Sequence, residues 1–203
     1  VKKLPADKEL SEIVDLLISY RAVFETGQSA KYPKGGTGAD PIANQCGQCE
    51  ATGDNLAAMA CALDLCSDAV LLEQSYTSPT ASKTAGTYAA VAHFGDKGNH
   101  LKPKVGGSYA LMATGPALGT QHSVDLGGQS MSDPFVKGGA PAFNAVEWRL
   151  RLKAPAGANG LRIRHVFFSQ EYDEYVGSQF NDKFYMVIEA GSTNGGKPTV
   201  INY

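Results

Sequence analysis

Residues 145–153, with the sequence AVEWRLRLK, alternate from Val146 onwards between apolar and charged side chains. The apolar set comprises Val146, Trp148, Leu150 and Leu152. Because successive side chains of a β-strand point to opposite faces, this pattern gives one buried and one solvated face. Such a division is typical of an antiparallel sheet with one wet side. We therefore predict an antiparallel strand here, with Trp148 directed to the core.

Further β-type runs lie on both sides of this strand, separated by turn-forming residues. We expect strands over residues 70–76, 87–94, 108–114, 161–168, 183–189 and 199–203. Glycine-rich turns over residues 156–160 and 191–196 separate the later runs. Together with residues 145–153, these runs predict a mainly β fold, an antiparallel β-sandwich or jelly-roll-like domain.

The first part of the chain has a helical pattern. Over residues 6–24, apolar side chains recur at helical spacing, which predicts one amphipathic helix. A glycine-rich loop follows over residues 31–55. A second, shorter helix is expected over residues 56–66, capped by Gly53 or Asp54. The β-rich part is thus preceded by one or two N-terminal helices.

Composition and charge limit the classes of protein that the chain can represent. It has 203 residues, of which 43% are hydrophobic, so it can build a core. The net charge of −2 supplies no broad cationic field, which argues against a nucleic-acid partner. No apolar run approaches the roughly 18 residues of a transmembrane helix, so we expect no membrane insertion of this segment. The predicted layout is an N-terminal extension over residues 1–54 and a β-sandwich over residues 55–203.

The four cysteines fall within 21 residues, at Cys46, Cys49, Cys61 and Cys66. Two disulfides that pin the long loop to the second helix are the favoured interpretation, and they predict an oxidising, extracellular compartment. Four thiolates could instead enclose a zinc ion, although the step from Cys61 to Cys66 is long for such a site. A redox-active Cys46-Gly-Gln-Cys49 is the third interpretation. The pairing of the cysteines is left open.

The most chemically informative stretch is FFSQEYDEYVGSQFND, residues 167–182. Its last twelve residues hold four carboxylates and no lysine or arginine, a local charge of −4. Carboxylates crowded among aromatic side chains repel one another and need a counter-charge. Calcium can supply it, because it takes about six to eight oxygen ligands from carboxylates and carbonyls. The stretch therefore predicts a divalent-cation site, with calcium as the expected cofactor.

The expected ligands combine four carboxylates with one amide: Glu171, Asp173, Glu174, Asn181 and Asp182. Glu171 and Asp173 would share one face of an extended segment. Gly177 would let the chain bend so that the last two ligands return to them. The alternative is a solvated acidic loop whose charge is balanced by arginines of neighbouring strands. These are Arg149, Arg151, Arg162 and Arg164.

The same stretch resembles a known family. The run FFSQEYDEYVGSQFNDKFYMVI, residues 167–188, is similar to the signature of the choice-of-anchor L domain, a module of bacterial surface proteins. Gln170 replaces the first acid of that signature. The matching positions are Glu171, Tyr172, Glu174, Tyr175, Ser178, Asn181 and Asp182. Weaker similarity over residues 56–67 and 108–115 extends the resemblance to about residues 55–202.

This resemblance implies a secreted or surface-displayed β-rich domain. Members of the family continue beyond the strand near Asn202 into a second portion with further acidic residues. The resemblance therefore implies that a C-terminal remainder, or a second polypeptide left by proteolytic cleavage of a longer bacterial protein, completes the sheet.

The sequence favours a non-catalytic extracellular or cell-surface module, stabilised by a cation, for adhesion to a surface glycan or protein or for assembly of a bacterial surface structure. Two alternatives stay open. Tyr172, Tyr175 and Tyr185 could form the stacking surfaces of a carbohydrate-binding β-sandwich. Glu171 and Glu174 could act as the paired carboxylates of a glycan or peptide hydrolase. No catalytic and no cofactor-binding residue is assigned, because no motif of a nucleotide-binding or hydrolase site is complete.

Overall fold

The computed structural model describes Cys46, one strand near the N-terminus and most of the chain from residue 55 onwards. The described ranges are 23–26, 46, 55–79, 86–92, 107–117, 129–154, 158–163, 165–168, 175–178, 182–191 and 194–201. The backbone alone is described for residues 23–26, 158–160, 162 and 194.

Short strands dominate the regular structure of these ranges. The strands are β1 (Val23–Thr26), β2 (Leu71–Thr77), β3 (Tyr88–Val91), β4 (Tyr109–Met112), β5 (Met131–Ser132), β6 (Pro141–Ala142), β7 (Glu147–Leu152), β8 (Ala158–Arg162), β9 (Val187–Ile188) and β10 (Thr199–Val200). The α-helix is α1 (Leu56–Ala62), and a 3-10 turn spans Asn194–Gly196. With its seven residues α1 is far too short to cross a bilayer, and the described part of the chain contains no helix that could.

The strands pair two by two in five antiparallel sheets. The pairs are β1 with β8, β2 with β7, β3 with β4, β5 with β6, and β9 with β10. The predicted mainly β, antiparallel class is therefore confirmed. A β-sandwich or jelly roll stays a prediction, because each sheet within the described ranges contains two strands.

Strand β7 has the two faces that its sequence predicts. Its even-numbered residues are partly buried and its odd-numbered residues are exposed. It pairs with β2, where Trp148 lies opposite Tyr76. The apolar face of β7 packs on a cluster of buried residues formed by Ala60, Leu63, Leu65 and Val70. The two-faced strand with Trp148 directed to the core is therefore confirmed.

Helix α1 packs on the β3–β4 sheet through small side chains. Ala58 and Ala62 contact Ala90 of β3 and Ala110 of β4. Met59, also on the helix, has no exposed surface. Alanine side chains let the helix approach the sheet closely, so a short helix can still bury a continuous apolar face.

Local hydrogen bonds set both ends of α1. At its start, the Asn55 side chain accepts a 2.8 Å bond from the Ala58 N–H, so the cap lies one or two residues later than predicted. At its end, Asp64 adopts the left-handed conformation with φ of 65°. The helix therefore ends at Ala62 and does not continue to Cys66 as predicted.

Two further predicted elements are wrong in part. Val23 and Phe24 belong to β1, so the helix predicted over residues 6–24 cannot include its last residues; residues 6–22 lie outside the described ranges. Valine and phenylalanine favour extended backbone where a partner strand is present, and β8 provides that partner. Strand β8 begins at Ala158, inside the predicted turn, because its pairing with β1 extends that far. The two-residue strands β5 and β6 are too short to show a period in the sequence.

The chain divides into two compact units. The helix-bearing unit comprises residues 1–130 and 143–166, and the Asp133 unit comprises residues 131–142 and 167–203. Among the described residues, every buried apolar side chain belongs to the helix-bearing unit, and the buried residue of the other unit is Asp133. The predicted layout of an extension and one sandwich stays a prediction.

Candidate functional site

Three cysteine sulfurs form a cluster beside the end of α1. Cys46 and Cys66 are joined by a disulfide with an S–S distance of 2.03 Å. Cys61 is disulfide-bonded as well, and the Sγ atoms of the three residues lie within 4.8 Å of one another. Cys49 lies outside the described residues. The Cys46–Cys66 bond ties the glycine-rich segment to the residues after the helix, which is the arrangement that the disulfide interpretation predicts.

The turn that ends α1 brings Cys61 and Cys66 together. The Asp64 N–H donates to the Cys61 carbonyl at 2.8 Å, and the Leu65 N–H donates to the Ala60 carbonyl at 2.9 Å. These two bonds form a Schellman turn, in which a residue with positive φ reverses the chain direction. Leu65 then enters the core, and Cys66 follows at the surface. The turn therefore brings the two cysteines close together, although they lie five positions apart in the sequence.

Asp64 also holds Cys46 in place. Its Oδ1 accepts a 3.3 Å hydrogen bond from the Cys46 N–H. Glycine is the usual residue at such a left-handed position, but aspartate tolerates it better than most other side chains. One residue thus ends the helix and positions the cysteine that arrives from the preceding segment.

The sulfur cluster is open to solvent on one side. Cys66 is exposed, while Cys46 and Cys61 are partly buried. An open depression beside α1 is lined by Cys61, Cys66 and Asp68, together with other residues of the same region. Ions and small reagents therefore have direct access to the sulfurs.

A second polar cluster surrounds Asp133, which is 4% exposed. Its Oδ1 accepts a 2.9 Å bond from the Phe135 N–H. Its Oδ2 accepts bonds from Lys183 Nζ at 3.1 Å and from the Tyr185 hydroxyl at 2.8 Å. The rings of Phe135 and Tyr185 meet edge to face, with centroids 5.0 Å apart. The β5–β6 hairpin is thus tied to the segment before β9.

These contacts move the pKa values of the two acidic groups apart. Burial raises the pKa of the Asp133 carboxyl, but its three hydrogen bonds and the lysine charge outweigh burial, so this pKa lies below its usual value. Burial, the hydrogen bond to Asp133 and the negative charge of Asp133 raise the pKa of Tyr185 to about 12. A carboxylate next to a neutral phenol is therefore stable over a wide pH range.

Sequence reasoning did not identify the Asp133 cluster. Lys183 and Tyr185 lie 50 and 52 residues from Asp133 along the chain. The Asp133-Pro134 pair does indicate a turn, and Asp133 indeed accepts a bond from the N–H two residues later. That local signal gives no information about a distant lysine or tyrosine.

Most of the predicted cation ligands lie outside the described residues. These are Glu171, Asp173, Glu174 and Asn181. The fifth, Asp182, is exposed. Gly177 has φ of 82° in a turn closed by a 2.9 Å bond from the Ser178 N–H to the Tyr175 carbonyl. The predicted bend at Gly177 is therefore confirmed, and calcium with its ligand set stays a prediction.

Two of the arginines considered as counter-charges for the bend have acidic partners on β2 and β7. Arg149 Nη2 lies 2.7 Å from Glu147 Oε1. Arg151 Nη1 lies 2.9 Å from Glu73 Oε1. Both ion pairs are exposed, so each contributes little to stability. Arg162 and Arg164 are outside the residues whose side chains are described.

The tyrosines of the carbohydrate-binding alternative differ in their surroundings. Tyr172 lies outside the described residues, Tyr175 is exposed and Tyr185 is partly buried. The Tyr185 hydroxyl is bound to Asp133 and its ring contacts Phe135. Tyr185 is therefore a packed member of the Asp133 cluster and not an open stacking surface.

Comparison with known proteins finds no family model, no curated protein and no solved structure that matches the chain. The resemblance to the choice-of-anchor L domain stays a prediction.

Proposed function

We propose that the chain is a non-catalytic module of a secreted or surface-displayed bacterial protein, where it serves adhesion or assembly. The observation that carries this proposal is the disulfide between Cys46 and Cys66, next to a further disulfide-bonded cysteine, Cys61. Disulfides persist in oxidising compartments and are rare in the cytosol. A disulfide that closes a loop of about this length, with a sequence separation of 20, stabilises the folded chain by about 3 kcal/mol.

The Asp133 cluster supports a structural role over a catalytic one. A general acid or base works best when its pKa lies near the working pH. The pKa of Asp133 is lowered and that of Tyr185 is raised to about 12, so both groups keep their protonation state near neutrality. Both oxygens of the carboxylate are engaged by donors of the same unit. These features suit an anchor that connects two segments.

Exposed apolar side chains support an assembly surface on the Asp133 unit. Seven of the nine exposed large hydrophobic residues in the described ranges belong to this unit. They are Phe135, Phe167, Phe168, Tyr175, Val176, Val187 and Ile201. Apolar surface of this kind is typical of sites that bind another protein. The partner proposed for it is a second polypeptide or the C-terminal remainder of a longer chain, and a surface glycan is the other candidate.

A divalent cation, calcium, completes the proposal. Its ligands would be Glu171, Asp173, Glu174, Asn181 and Asp182. The turn at Gly177 supports this set, because it reverses the chain between the first three ligands and the last two. Calcium that binds the folded bend and not the unfolded chain would stabilise the fold by mass action.

The cysteine state of the chain in its source cells tests the location. Cells are quenched with an alkylating reagent before lysis, and the intact mass of the chain is measured without reduction. We expect no alkylated cysteine, and we expect protease added to intact cells to cleave the chain. Alkylation of all four cysteines together with protection from protease would contradict a surface location.

Thermal unfolding in calcium and in a chelator tests the cation site. We expect Asp182→Ala to lower the melting temperature more in calcium than in chelator. Asp68→Ala, which changes an exposed aspartate between α1 and β2, is the matched control and should change neither value. An equal loss in both buffers for Asp182→Ala would contradict a bound cation.

Binding of the purified chain to source cells tests the assembly surface. We expect the double variant Val176→Ser and Ile201→Ser to bind at least tenfold more weakly at an unchanged melting temperature. Leu72→Ser, at an exposed apolar residue of the helix-bearing unit, serves as the control. Unchanged binding of the double variant would exclude this surface.

A further inference from the structure

We infer that the reduced chain binds Zn²⁺ through the thiolates of Cys46, Cys61 and Cys66, so that zinc and disulfides occupy the same cluster in alternation. The inference rests on the sulfur positions and is independent of the proposed function. The three Sγ atoms lie within 4.8 Å of one another. Zinc binds thiolate sulfur at about 2.3 Å in a tetrahedral site, which places two sulfurs about 3.8 Å apart. The sulfurs of Cys46 and Cys66 separate to this distance once their disulfide is reduced.

Contacts other than the disulfides hold the cysteine backbone. Cys61 belongs to α1, and its carbonyl accepts the 2.8 Å bond of the Schellman turn. Leu65, buried in the core, fixes the chain directly before Cys66. The Cys46 N–H donates to the Asp64 carboxylate at 3.3 Å. The sulfurs therefore stay close to one another when the disulfides are reduced.

Conversion of the disulfide-bonded cysteines into zinc ligands needs a two-electron reductant for each disulfide. A phosphine reductant gives two electrons to each disulfide and becomes the phosphine oxide, while water supplies the oxygen atom and the two thiol protons. Zn²⁺ then displaces one proton from each of three thiols, and the protons pass to solvent. Oxidation by a small disulfide such as glutathione disulfide reverses the step. The thiolates of Cys46 and Cys66 lose two electrons and form their disulfide, while the small disulfide takes up these electrons and two protons from solvent and becomes two thiols. The third thiolate takes up a proton, and the zinc is released.

The surroundings of the cluster suit a soft metal and differ from a calcium site. Thiolates select zinc or copper(I) over calcium. The exposed Cys66 and the open depression give an ion a path from solvent. Three thiolates leave a fourth coordination position for water or another donor.

The test uses the full chain, reduced with a phosphine under nitrogen and mixed with one equivalent of zinc chloride. After desalting, we expect native mass spectrometry to show one zinc per reduced chain and less than a tenth of that for the oxidised chain. Cobalt(II) as a substitute should give the thiolate charge-transfer and tetrahedral d–d absorption bands. Zinc should also raise the melting temperature of the reduced chain, or restore its circular dichroism if the metal-free form is unfolded.

Matched variants decide which side chains bind the metal. We expect Cys66→Ser to weaken zinc binding at least tenfold in competition with a chromophoric chelator. Asp68→Ala removes an exposed carboxylate of the same depression and should leave zinc binding unchanged. Equal binding by the oxidised chain or by Cys66→Ser would overturn the inference. Zinc binding without any gain in structure or melting temperature would mean chelation by an unfolded chain and would overturn it too.

Discussion

In the helix-bearing unit, Met59 is completely buried and the alanines of α1 lie on β3 and β4. In the Asp133 unit, by contrast, the buried residue is a carboxylate that accepts three hydrogen bonds. Burial of apolar surface stabilises without regard to orientation and is insensitive to pH. A buried carboxylate is stabilising only while its donors are in place and its charge is kept.

The comparison shows how a chain with short strands can stabilise two units by different means. The helix-bearing unit has its apolar clusters and a disulfide, so the loss of one contact leaves the others. Among its described residues the Asp133 unit has seven exposed large apolar side chains and no fully buried one. We therefore expect it to respond to changes of charge at one residue and to gain stability from a partner that covers its apolar surface.

The largest effect is expected from the core of the helix-bearing unit. Met59→Ala removes a fully buried side chain and should lower the free energy of unfolding by about 3 to 4 kcal/mol, near the middle of the range of about 2 to 5 kcal/mol for such core substitutions. Leu72→Ala, at a residue that is 46% exposed, is the control and should cost less than about 1 kcal/mol. Urea unfolding followed by circular dichroism measures both. Similar losses of unfolding free energy in the two variants would show that burial of Met59 does not stabilise the helix-bearing unit.

The disulfide should contribute slightly less than the core residue. Replacing Cys46 and Cys66 together by alanine opens a loop with a sequence separation of 20 and should cost about 3 kcal/mol. The physical reason is the greater conformational freedom of the unfolded chain. Ser67→Ala, next to Cys66, is the control. It removes only the 3.2 Å bond that the Ser67 hydroxyl accepts from the Ala69 N–H, and it should cost less than about 1.5 kcal/mol. If the double variant unfolds at the same urea concentration as the parent chain, the disulfide does not stabilise the helix-bearing unit.

A smaller loss, about 2 kcal/mol, is expected for Asp133→Asn. The amide keeps the shape of the side chain but loses the charge that Lys183 and the Tyr185 hydroxyl bind. Glu189→Gln, at an exposed carboxylate of the same unit, is the control and should be nearly neutral. Hydrogen exchange should show faster exchange in β5, β6 and β9 with α1 unaffected. Equal acceleration in α1 would break the distinction between the two units.

The smallest effect is the pH dependence that Asp133 and Tyr185 give to the Asp133 unit. The folded Asp133 pKa is lowered, so its contribution is complete above about pH 4 and is lost as the pH falls through the folded value. The folded Tyr185 pKa is raised to about 12, so its contribution is complete below about pH 10 and is lost as the pH rises towards 12. Urea midpoints measured across both ranges should show these two losses.

Two tyrosines allow a matched control of this pH dependence. Burial also raises the pKa of Tyr76 to about 12, against the opposing effect of a hydrogen bond with the Thr87 side chain. In an ultraviolet titration, Asp133→Asn should lower the pKa of Tyr185 and leave that of Tyr76 unchanged. Tyr76→Phe and Tyr185→Phe assign the two transitions. A shift of both tyrosines on Asp133→Asn would mean that the variant loosens the whole chain.

Elements with a strong local pattern were predicted well. The alternation around Trp148 predicted β7 and its buried face, and the apolar spacing after Asn55 predicted a helix where α1 forms. Gly177 was predicted as a bend because glycine accepts a positive φ at no steric cost. In each case the residues that decide the structure lie next to one another in the chain.

Elements that depend on distant residues were predicted poorly or missed. Phe24 fitted a helical period but forms β1, because β8 is present to pair with it. The residues next to Asp133 in the sequence do not indicate that Lys183 and Tyr185 donate hydrogen bonds to it. For the cysteines, clustering in the sequence suggested disulfides, but their pairing depends on the turn at Asp64.

The sequence by itself determined the antiparallel β character, the position of the helix before Cys66 and the crowding of carboxylates around Gly177. Side-chain periodicity and glycine conformation are properties of short segments, so they can be read from the chain alone. Only the tertiary structure decided which cysteine bonds to Cys66 and which donors surround Asp133. Such contacts are made when segments far apart in the chain pack together, and their geometry depends on the whole fold.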